Sequence, residues 1–133
     1  MNTALISLAS NTPDKQHHME QAISELQGMK LLGDISSIYE TAPYGNSQHP
    51  NYLNAVARIN STVEYEALHD IFKKLEQAHG RTPESKLSGE ITLDIDIVVW
   101  NGEILRPRDF NREYFQTGLK ELRQPVAKTI RPA

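Results

Sequence analysis

The order of apolar patterns along the chain predicts an α+β fold of the ferredoxin-like β-α-β-β-α-β type, with a short C-terminal helical appendage. Two observations carry this prediction. Two stretches place apolar residues at helical spacing, and four others are short apolar or alternating runs typical of strands, separated by turn residues. Two helices would then cover one face of an antiparallel sheet, and the opposite face would remain free to carry a site.

The first strand and helix are marked by clear boundaries. An apolar run at residues 4–8 predicts a buried strand, and the turn-forming residues at 10–13 end it. Asp14 can cap the helix that follows, and Gly28 can end it. The apolar residues of this helix are Met19, Ala22, Ile23 and Leu26.

The middle of the chain repeats the pattern. Residues 31–39 have a strand pattern with polar interruptions, residues 41–50 form a loop by composition, and residues 52–63 alternate as a strand. One face of that strand carries Leu53, Ala55, Ala57 and Ile59. A second amphipathic helix ends at Gly80, before a polar loop at 81–90. Its apolar face is Leu68, Ile71, Phe72 and Leu75.

The last third contains one more strand, at residues 91–100, which ends at the turn signal Asn101-Gly102. A third helix could begin at Asn111, and residues 124–133 are expected to be frayed. Its apolar face would be Phe115, Leu119 and Leu122.

Composition limits the classes of function. With 133 residues, 38% of them hydrophobic and 23% charged, the chain fits one domain over residues 1–133. A net charge of −3 argues against a general nucleic-acid binder. The absence of cysteine excludes a disulfide scaffold and a cysteine-ligated zinc site. Neither a signal peptide nor an apolar membrane span is evident, so we expect a cytoplasmic protein without a membrane partner. We also expect a monomer that binds no nucleic acid.

The last strand carries two acids on one face. Residues 92–97 read T-L-D-I-D-I, so Asp94 and Asp96 point away from the helices and lie about 7 Å apart along the strand. Like charges at this distance repel unless a cation lies between them, and a hard divalent cation such as Mg²⁺ prefers carboxylate oxygens. Arg81 and Lys86 precede the strand and could approach a bound phosphate. The alternative is that both acids are part of a solvated strand face.

Residues 92–97 closely resemble the T-L-D-L-D-I signature of the 6-hydroxymethyl-7,8-dihydropterin pyrophosphokinase family. Other segments resemble that family's motifs in the same order. L-A-S-N at 8–11 resembles its L-G-S-N, residues 37–45 resemble its segment ending in T-x-P-x-G, and P-N-Y-L-N-A at 50–55 resembles its P-x-Y-L-N-A. Leu75-Glu76 and Gly80-Arg81 match the end of its second helix.

The resemblance implies an activity and its catalytic residues. The family transfers pyrophosphate from ATP to the hydroxymethyl group of the dihydropterin in folate biosynthesis, leaving AMP, with two Mg²⁺ ions on the paired aspartates. Carried over, Asp94 and Asp96 become the metal ligands and act in catalysis together with Arg81. The expected partners are ATP and 6-hydroxymethyl-7,8-dihydropterin.

The resemblance also implies two sets of binding residues. The pterin-binding set is Thr41, Ala42, Pro43, Tyr44, Tyr52 and Asn54. In it, the Asn54 amide would hydrogen-bond the ring and Tyr52 would stack on it. The nucleotide-binding set is Glu76, Arg81, Lys86, Ile97 and Lys120.

The loop before the paired aspartates departs from the family pattern R-W-G-P-R, because residues 86–91 read K-L-S-G-E-I. Three interpretations therefore stay open. The chain is a divergent pyrophosphokinase that covers the triphosphate with other cations; it is a catalytically weak or inactive relative that binds a pterin, a nucleotide or a partner protein; or it is a ferredoxin-like interaction module. The candidate cations include Arg106, Arg108 and Arg112. His17 and His18 point in different directions on a helix, so we interpret both as surface residues.

Overall fold

One open antiparallel sheet with helices on both faces makes up the protein in the computed structural model. The structure describes residues 1–43, 50–81 and 90–129, the last seven by backbone alone. The strands are β1 (Asn2–Ser10), β2 (Leu32–Ile35), β3 (Tyr39–Thr41), β4 (Tyr52–Ser61), β5 (Asp94–Trp100) and β6 (Glu103–Ile104). The helices of the described ranges are α1 (Lys15–Gly28), α2 (Tyr65–Ala78), α3 (Pro107–Phe110) and α4 (Glu113–Thr129). The predicted α+β class is confirmed.

The sheet has the order β2-β4-β1-β5-β6, and β3 also pairs with β4. Each of these pairings is antiparallel. β1 lies at the centre, between β4 and β5, so the three longest strands are neighbours. Their end near Ser10 is where the predicted motifs meet. Within the described ranges, no helix has the length and hydropathy needed to cross a bilayer.

The first core lies between the sheet and helices α1 and α2. Leu8 of β1, Ile95 of β5 and Phe72 of α2 are almost completely buried there. The period-two and helical patterns of the sequence predicted these positions, because both kinds of element turn one face toward this layer. Burial of one such side chain stabilises the fold by about 1.5–3 kcal/mol. This layer is the one that the sequence predicted.

The sequence predicted that the opposite face of the sheet would be free, and the structure contradicts this. Helix α4 packs on it, and the predicted appendage is therefore part of a second core. That core contains Val56, Val98, Val99, Phe115, Leu119 and Leu122. Gly118 lets the helix approach β4, since a Cβ there would lie 2.6 Å from Val56 Cγ2. The helix continues to Thr129, so the expectation of a frayed end is wrong for residues 124–129, and residues 130–133 lie outside the described ranges.

Two predicted strands have different bounds in the structure. The strand predicted at 31–39 is divided into β2 and β3, because Ser36 leaves the regular ladder and its hydroxyl accepts the Val56 N–H at 2.9 Å. The strand predicted at 91–100 begins only at Asp94. Before it, the backbone N–H of Ile91 donates to the Asn11 side chain at 2.6 Å instead of to a strand partner.

Helix ends and turns mostly follow the predicted signals. Gly80 has a φ of +92°, and the Asn101-Gly102 turn has positive φ at both residues, as such turns require. Helix α1 ends at Gly28 as predicted, but Lys30 has the left-handed backbone, with a φ of +60°. Asp14 stands at the start of α1 without capping it through its side chain, which accepts a hydrogen bond from Thr12 instead.

The two histidines of α1 have different surroundings. His17 is exposed, as expected. The surface assignment of His18 is wrong, because its side chain is only 14% exposed and its Nδ1 lies 2.8 Å from Nδ1 of His79. Sequence periodicity could not show this, since the partner lies at the end of the other helix.

Candidate active site

Strand register places three predicted site residues, Asn54, Asp94 and Asp96, in two rows on the face opposite α1 and α2. The first row is Asn54, Ala9 and Asp94, and the second is Val56, Ser7 and Asp96. Residues directly opposite each other on neighbouring strands point to the same side of the sheet. The paired acids therefore lie beside the polar residues of β1 and β4.

A cavity of about 300 Å³ opens over these rows. Its lining residues are Ser7, Ala9, Thr41, Ala42, Pro43, Tyr52, Asn54, Asp94, Asp96 and Tyr114. Every predicted pterin-binding residue in the described ranges lies in this lining, together with both predicted metal ligands. Tyr44 and Lys86 lie outside the described residues, as does most of the divergent loop.

The two aspartates form an acidic centre at one end of the cavity. Burial, followed by the negative charge and hydrogen bond of Asp94, raises the pKa of Asp96 to about 7. The charge of Arg106 opposes this rise. The ionised pair thus lacks full compensation from the protein, and two same-face carboxylates are the donors that a hard divalent cation prefers. The donor set therefore fits Mg²⁺.

Arg81 is held against this acidic centre. One of its guanidinium nitrogens donates to Asp94 Oδ1 at 2.7 Å and to the carbonyl of Leu93 at 3.3 Å. Burial alone would lower the pKa of Arg81, but the hydrogen bond and charge of Asp94 outweigh it and raise that pKa. The structure thus brings together the three residues predicted for catalysis: Asp94, Asp96 and Arg81.

Glu76 supports this arrangement from beneath the sheet edge. It is 3% exposed, and its carboxylate accepts the backbone N–H of Ile95 at 2.8 Å. The same carboxylate lies 3.3 Å from Lys73 Nζ and 3.7 Å from Arg81. Glu76 therefore fixes both the start of β5 and the Arg81 guanidinium, although it does not line the cavity.

The far side of the cavity has the features of a binding pocket for a flat polar ring. The Asn54 amide donates to Thr41 Oγ1 at 2.5 Å, which fixes its orientation. Tyr52 pairs with Thr41 across β3 and β4, and it also lines the cavity. Burial, with the nearby Asp94, raises the pKa of Tyr52. A neutral aromatic ring and a fixed amide therefore face the same space.

The residues at the site that were absent from the predicted set include Ser7, Asp109 and Tyr114. The Tyr114 hydroxyl donates to Asp109, whose other oxygen lies 2.6 Å from Arg106 Nε. Burial first, and Asp109 second, raise the pKa of Tyr114, so its ring is neutral. Period two along β1 could have indicated Ser7, which is two residues before Ala9. Nothing in the sequence pattern indicated that residues of α3 and α4 lie near Asp94 and Asp96.

Two predicted nucleotide-binding residues lie away from the cavity. The Ile97 side chain is 5% exposed in the core beneath α1 and α2. Lys120 is exposed on α4 and is not in the cavity lining.

Comparison with known proteins identifies the family. The family model described as 7,8-dihydro-6-hydroxymethylpterin-pyrophosphokinase matches residues 5–124. The chain is similar to the 2-amino-4-hydroxy-6-hydroxymethyldihydropteridine pyrophosphokinase of Haemophilus influenzae, with 38% identity over 109 residues, 80% of this chain and 67% of the relative. It is 31% identical over 137 residues to the enzyme of the same name from Bacillus subtilis, covering 96% of this chain and 81% of the relative. The corresponding Aquifex aeolicus enzyme is 29% identical over 138 residues, which cover 98% of this chain and 86% of the relative. The chain therefore belongs to the 7,8-dihydro-6-hydroxymethylpterin pyrophosphokinase family.

Proposed function

We propose that this chain transfers pyrophosphate from ATP to 6-hydroxymethyl-7,8-dihydropterin, a step of folate biosynthesis. Family membership and the enzyme names of its relatives support the reaction. The observation that carries the proposal is the shared cavity, which joins an acidic pair suited to a metal–phosphate complex to an amide and aromatic rings suited to a pterin.

The pterin would occupy the end of the cavity formed by β3 and β4. Backbone groups of Thr41 and Ala42 would meet the edge of the ring. The Asn54 amide would hydrogen-bond it, because an amide offers both a donor and an acceptor to a heterocycle. Tyr52 and Tyr114 would contact its faces, since both aromatic rings border this cavity. Tyr44 would extend this pocket.

Asp94 and Asp96 would hold two Mg²⁺ ions together with the nucleotide. When bound, the metal neutralises triphosphate charge and orients the phosphate for displacement. Among the described residues, no group of three or more acids or histidines could hold a metal by itself. Phosphate oxygens and water would therefore complete the coordination, as is usual for Mg²⁺.

The reaction would be an in-line displacement at the β-phosphorus. The pterin hydroxyl gives its proton to solvent water and its oxygen bonds to that phosphorus, while the bond between the phosphorus and the oxygen shared with the α-phosphate breaks. AMP leaves with that oxygen. Arg81 and Arg106 flank the aspartates and would stabilise the added negative charge, while Glu76 keeps Arg81 in place. Lys86 stays a predicted member of the nucleotide site, whereas the side chains of Ile97 and Lys120 lie outside the cavity lining.

We also propose a ferredoxin-like arrangement for the sheet and its two crossover helices. The order β2-β4-β1-β5, all antiparallel, with α1 and α2 in the two crossovers, supports a ferredoxin-like arrangement. The single domain over residues 1–133, the monomeric state and the cytoplasmic location stay predictions.

Two measurements test the proposed activity. Titration calorimetry with a non-hydrolysable ATP analogue and the dihydropterin, with and without Mg²⁺, should show binding of the nucleotide only when the metal is present. AMP formation should then be measured for the wild type, Asp94→Asn and Asp70→Asn. Asp70 is an exposed acid on α2 and serves as the matched control. Asp94→Asn should lose activity by about 10²–10³-fold, and Asp70→Asn should match the wild type. Magnesium-independent binding, or no AMP from the wild type, would contradict the proposal.

A further inference from the structure

Two histidines meet outside the cavity, at the junction of α1 and α2. Nδ1 of His18 lies 2.8 Å from Nδ1 of His79, and the ring centroids are 5.0 Å apart. The side chains are 14% and 4% exposed, respectively. A distance of 2.8 Å between two nitrogens is that of a hydrogen bond, so one of these atoms carries a proton that the other accepts.

The outer nitrogen of each ring faces a carboxylate. His18 Nε2 lies 3.2 Å from Asp14, and His79 Nε2 lies 2.9 Å from Glu25. An ionised carboxylate only accepts hydrogen bonds, so both Nε2 atoms must donate. The hydrogen bond from Thr12 lowers the pKa of Asp14, which favours its ionised form. Two rings with two outer protons and one shared proton hold three protons, and the pair therefore has one positive charge.

This arrangement exists only while the third proton is present. Without it, either two nitrogen lone pairs face each other at the centre, or one outer nitrogen loses its proton to the centre and faces its carboxylate unprotonated. Both alternatives are repulsive, so the contact must open or rearrange. The remaining charged groups nearby do not replace the proton: His17 is 6.0 Å from His18 by ring centroids, and Glu76 is turned toward Ile95.

The pair joins two segments that lead into the active site. His79 is the residue after the last turn of α2, and its backbone N–H bonds the carbonyls of that turn. Gly80 follows with left-handed backbone, and the N–H of Arg81 donates to the Glu76 carbonyl at 3.1 Å. The Arg81 guanidinium then reaches Asp94. Only one residue separates His79 from the cation at the acidic centre.

The other half of the pair is anchored near the end of β1. His18 lies in the first turn of α1, which follows the loop after that strand. In this loop the Asn11 N–H donates to the carbonyl of Ile91 at 2.9 Å, close to the start of β5. The backbones of α1 and α2 each approach the sheet more closely than they approach each other. The histidine pair is thus a direct polar link between the two helices.

We infer that His18 and His79 are positioning residues for the proposed reaction: they share a proton and hold the end of α2 so that Arg81 meets the paired aspartates. This inference rests on the proposed function. The two carboxylates at the outer nitrogens stabilise the charged pair, and replacement of either ring removes its shared proton. Arg81 would then lose its fixed position, and the productive geometry at the phosphate would be sampled less often.

Kinetics tests the positioning role. His18→Gln and His79→Gln remove the shared proton, whereas His17→Gln changes the exposed neighbour on the same helix. We expect kcat/KM for the magnesium–ATP complex to fall roughly 3–10-fold in the first two variants and to stay unchanged in the control. In an Arg81→Ala background the same two changes should have no further effect, because the pair acts through Arg81; a merely structural role would lower kcat/KM in both backgrounds.

Nitrogen-15 NMR of the histidine rings tests the pair without any need for activity. Wild type should show a scalar coupling between the two Nδ1 atoms across the shared proton, and His79→Gln should abolish it. The absence of that coupling in the wild type would overturn the shared proton. Identical kinetics in His17→Gln and His18→Gln would overturn the positioning role. A wild type without turnover would overturn the proposed function and the positioning role with it, while the NMR result would still decide whether the proton is shared.

Discussion

The two faces of the central sheet are built from alternate residues of the same strands, yet they differ in organisation. On β5, Ile95 and Ile97 face α1 and α2 within one continuous apolar layer. On the other side, Asp94 and Asp96 line the cavity, whereas Val98, two residues later, is buried under α4. On this face of β5, the side chains thus change from cavity lining at Asp96 to buried core at Val98. The part of the sheet that α4 covers sets this boundary between cavity and core, and the strand itself does not.

This difference has an electrostatic consequence. Asp96 lies at the boundary, so it is buried enough for its pKa to rise to about 7 while remaining part of the open cavity. An apolar residue at the same position would stabilise the second core. The carboxylate instead leaves a charge for a ligand to compensate, so the site is formed at the expense of stability.

The largest effect should come from removing the charge at the boundary. Asp96→Asn should lower turnover by about 10²–10³-fold, because one of the two proposed metal ligands is lost. The same change should stabilise the metal-free protein at pH 8. The raised pKa of Asp96 means that its stabilising contribution is present below pH 3.8 and lost as pH rises through about 7. The gain, on the order of 1–4 kcal/mol, is measurable by thermal and urea unfolding with a chelator.

The pH dependence of the free energy of unfolding provides the control for the Asp96→Asn prediction. At pH 4 the variant and the wild type should have similar free energies of unfolding, since the aspartate is then mostly protonated in the folded state. Added Mg²⁺ and nucleotide should stabilise the wild type and not the variant. Equal destabilisation of Asp96→Asn at both pH values would contradict the conclusion that the ionised Asp96 carboxylate destabilises the metal-free fold.

A matched pair of cavity mutations compares the two cores. Phe72 on α2 and Phe115 on α4 are 1% and 0% exposed, so replacement of either by alanine should lower the free energy of unfolding by about 3–5 kcal/mol. Only Phe115→Ala should also raise KM for the pterin, because α4 carries Tyr114 of the cavity wall. Urea unfolding and steady-state kinetics on the folded fraction measure the two effects. Equal KM changes in both variants would show that α4 does not shape the site.

The sequence predicted the first core and the row of acids better than the second core, for a physical reason. Periodicity reports which side of an element is apolar, and Leu68, Phe72 and Ile95 all follow it. It does not report which layer an apolar face will meet. The stripe of Phe115, Leu119 and Leu122 was therefore found, but its position on the sheet was not. Asp109 and His79 were missed because their partners come from other elements, through contacts that no local pattern encodes.

The close contact of α4 with β4 gives a smaller effect. In Gly118→Ala the new Cβ would lie 2.6 Å from Val56 Cγ2 and 2.7 Å from the Tyr39 hydroxyl, so the helix must shift. We expect a loss of about 1–3 kcal/mol in the free energy of unfolding, with a parallel rise in KM for the pterin. Gly28→Ala is the control, since nothing lies within 4 Å of its new Cβ. A neutral Gly118→Ala would mean that α4 is not fitted against the sheet.

The smallest effect should come from one hydroxyl that joins the second core to the cavity wall. The Tyr39 hydroxyl donates to the carbonyl of Tyr114 and accepts the Gly118 N–H at 3.1 Å. Burial raises its pKa to about 12, so it stays a donor throughout the neutral range. Tyr39→Phe should therefore cost about 1 kcal/mol in urea unfolding and raise KM for the pterin only slightly. Tyr65→Phe on α2 provides the comparison from the other face, where a hydroxyl loss should leave KM unchanged. A change in KM without a loss of stability would show that the hydroxyl positions Tyr114 but does not hold α4 on the sheet. The shape of the cavity wall and the stability of the second core would then be independent.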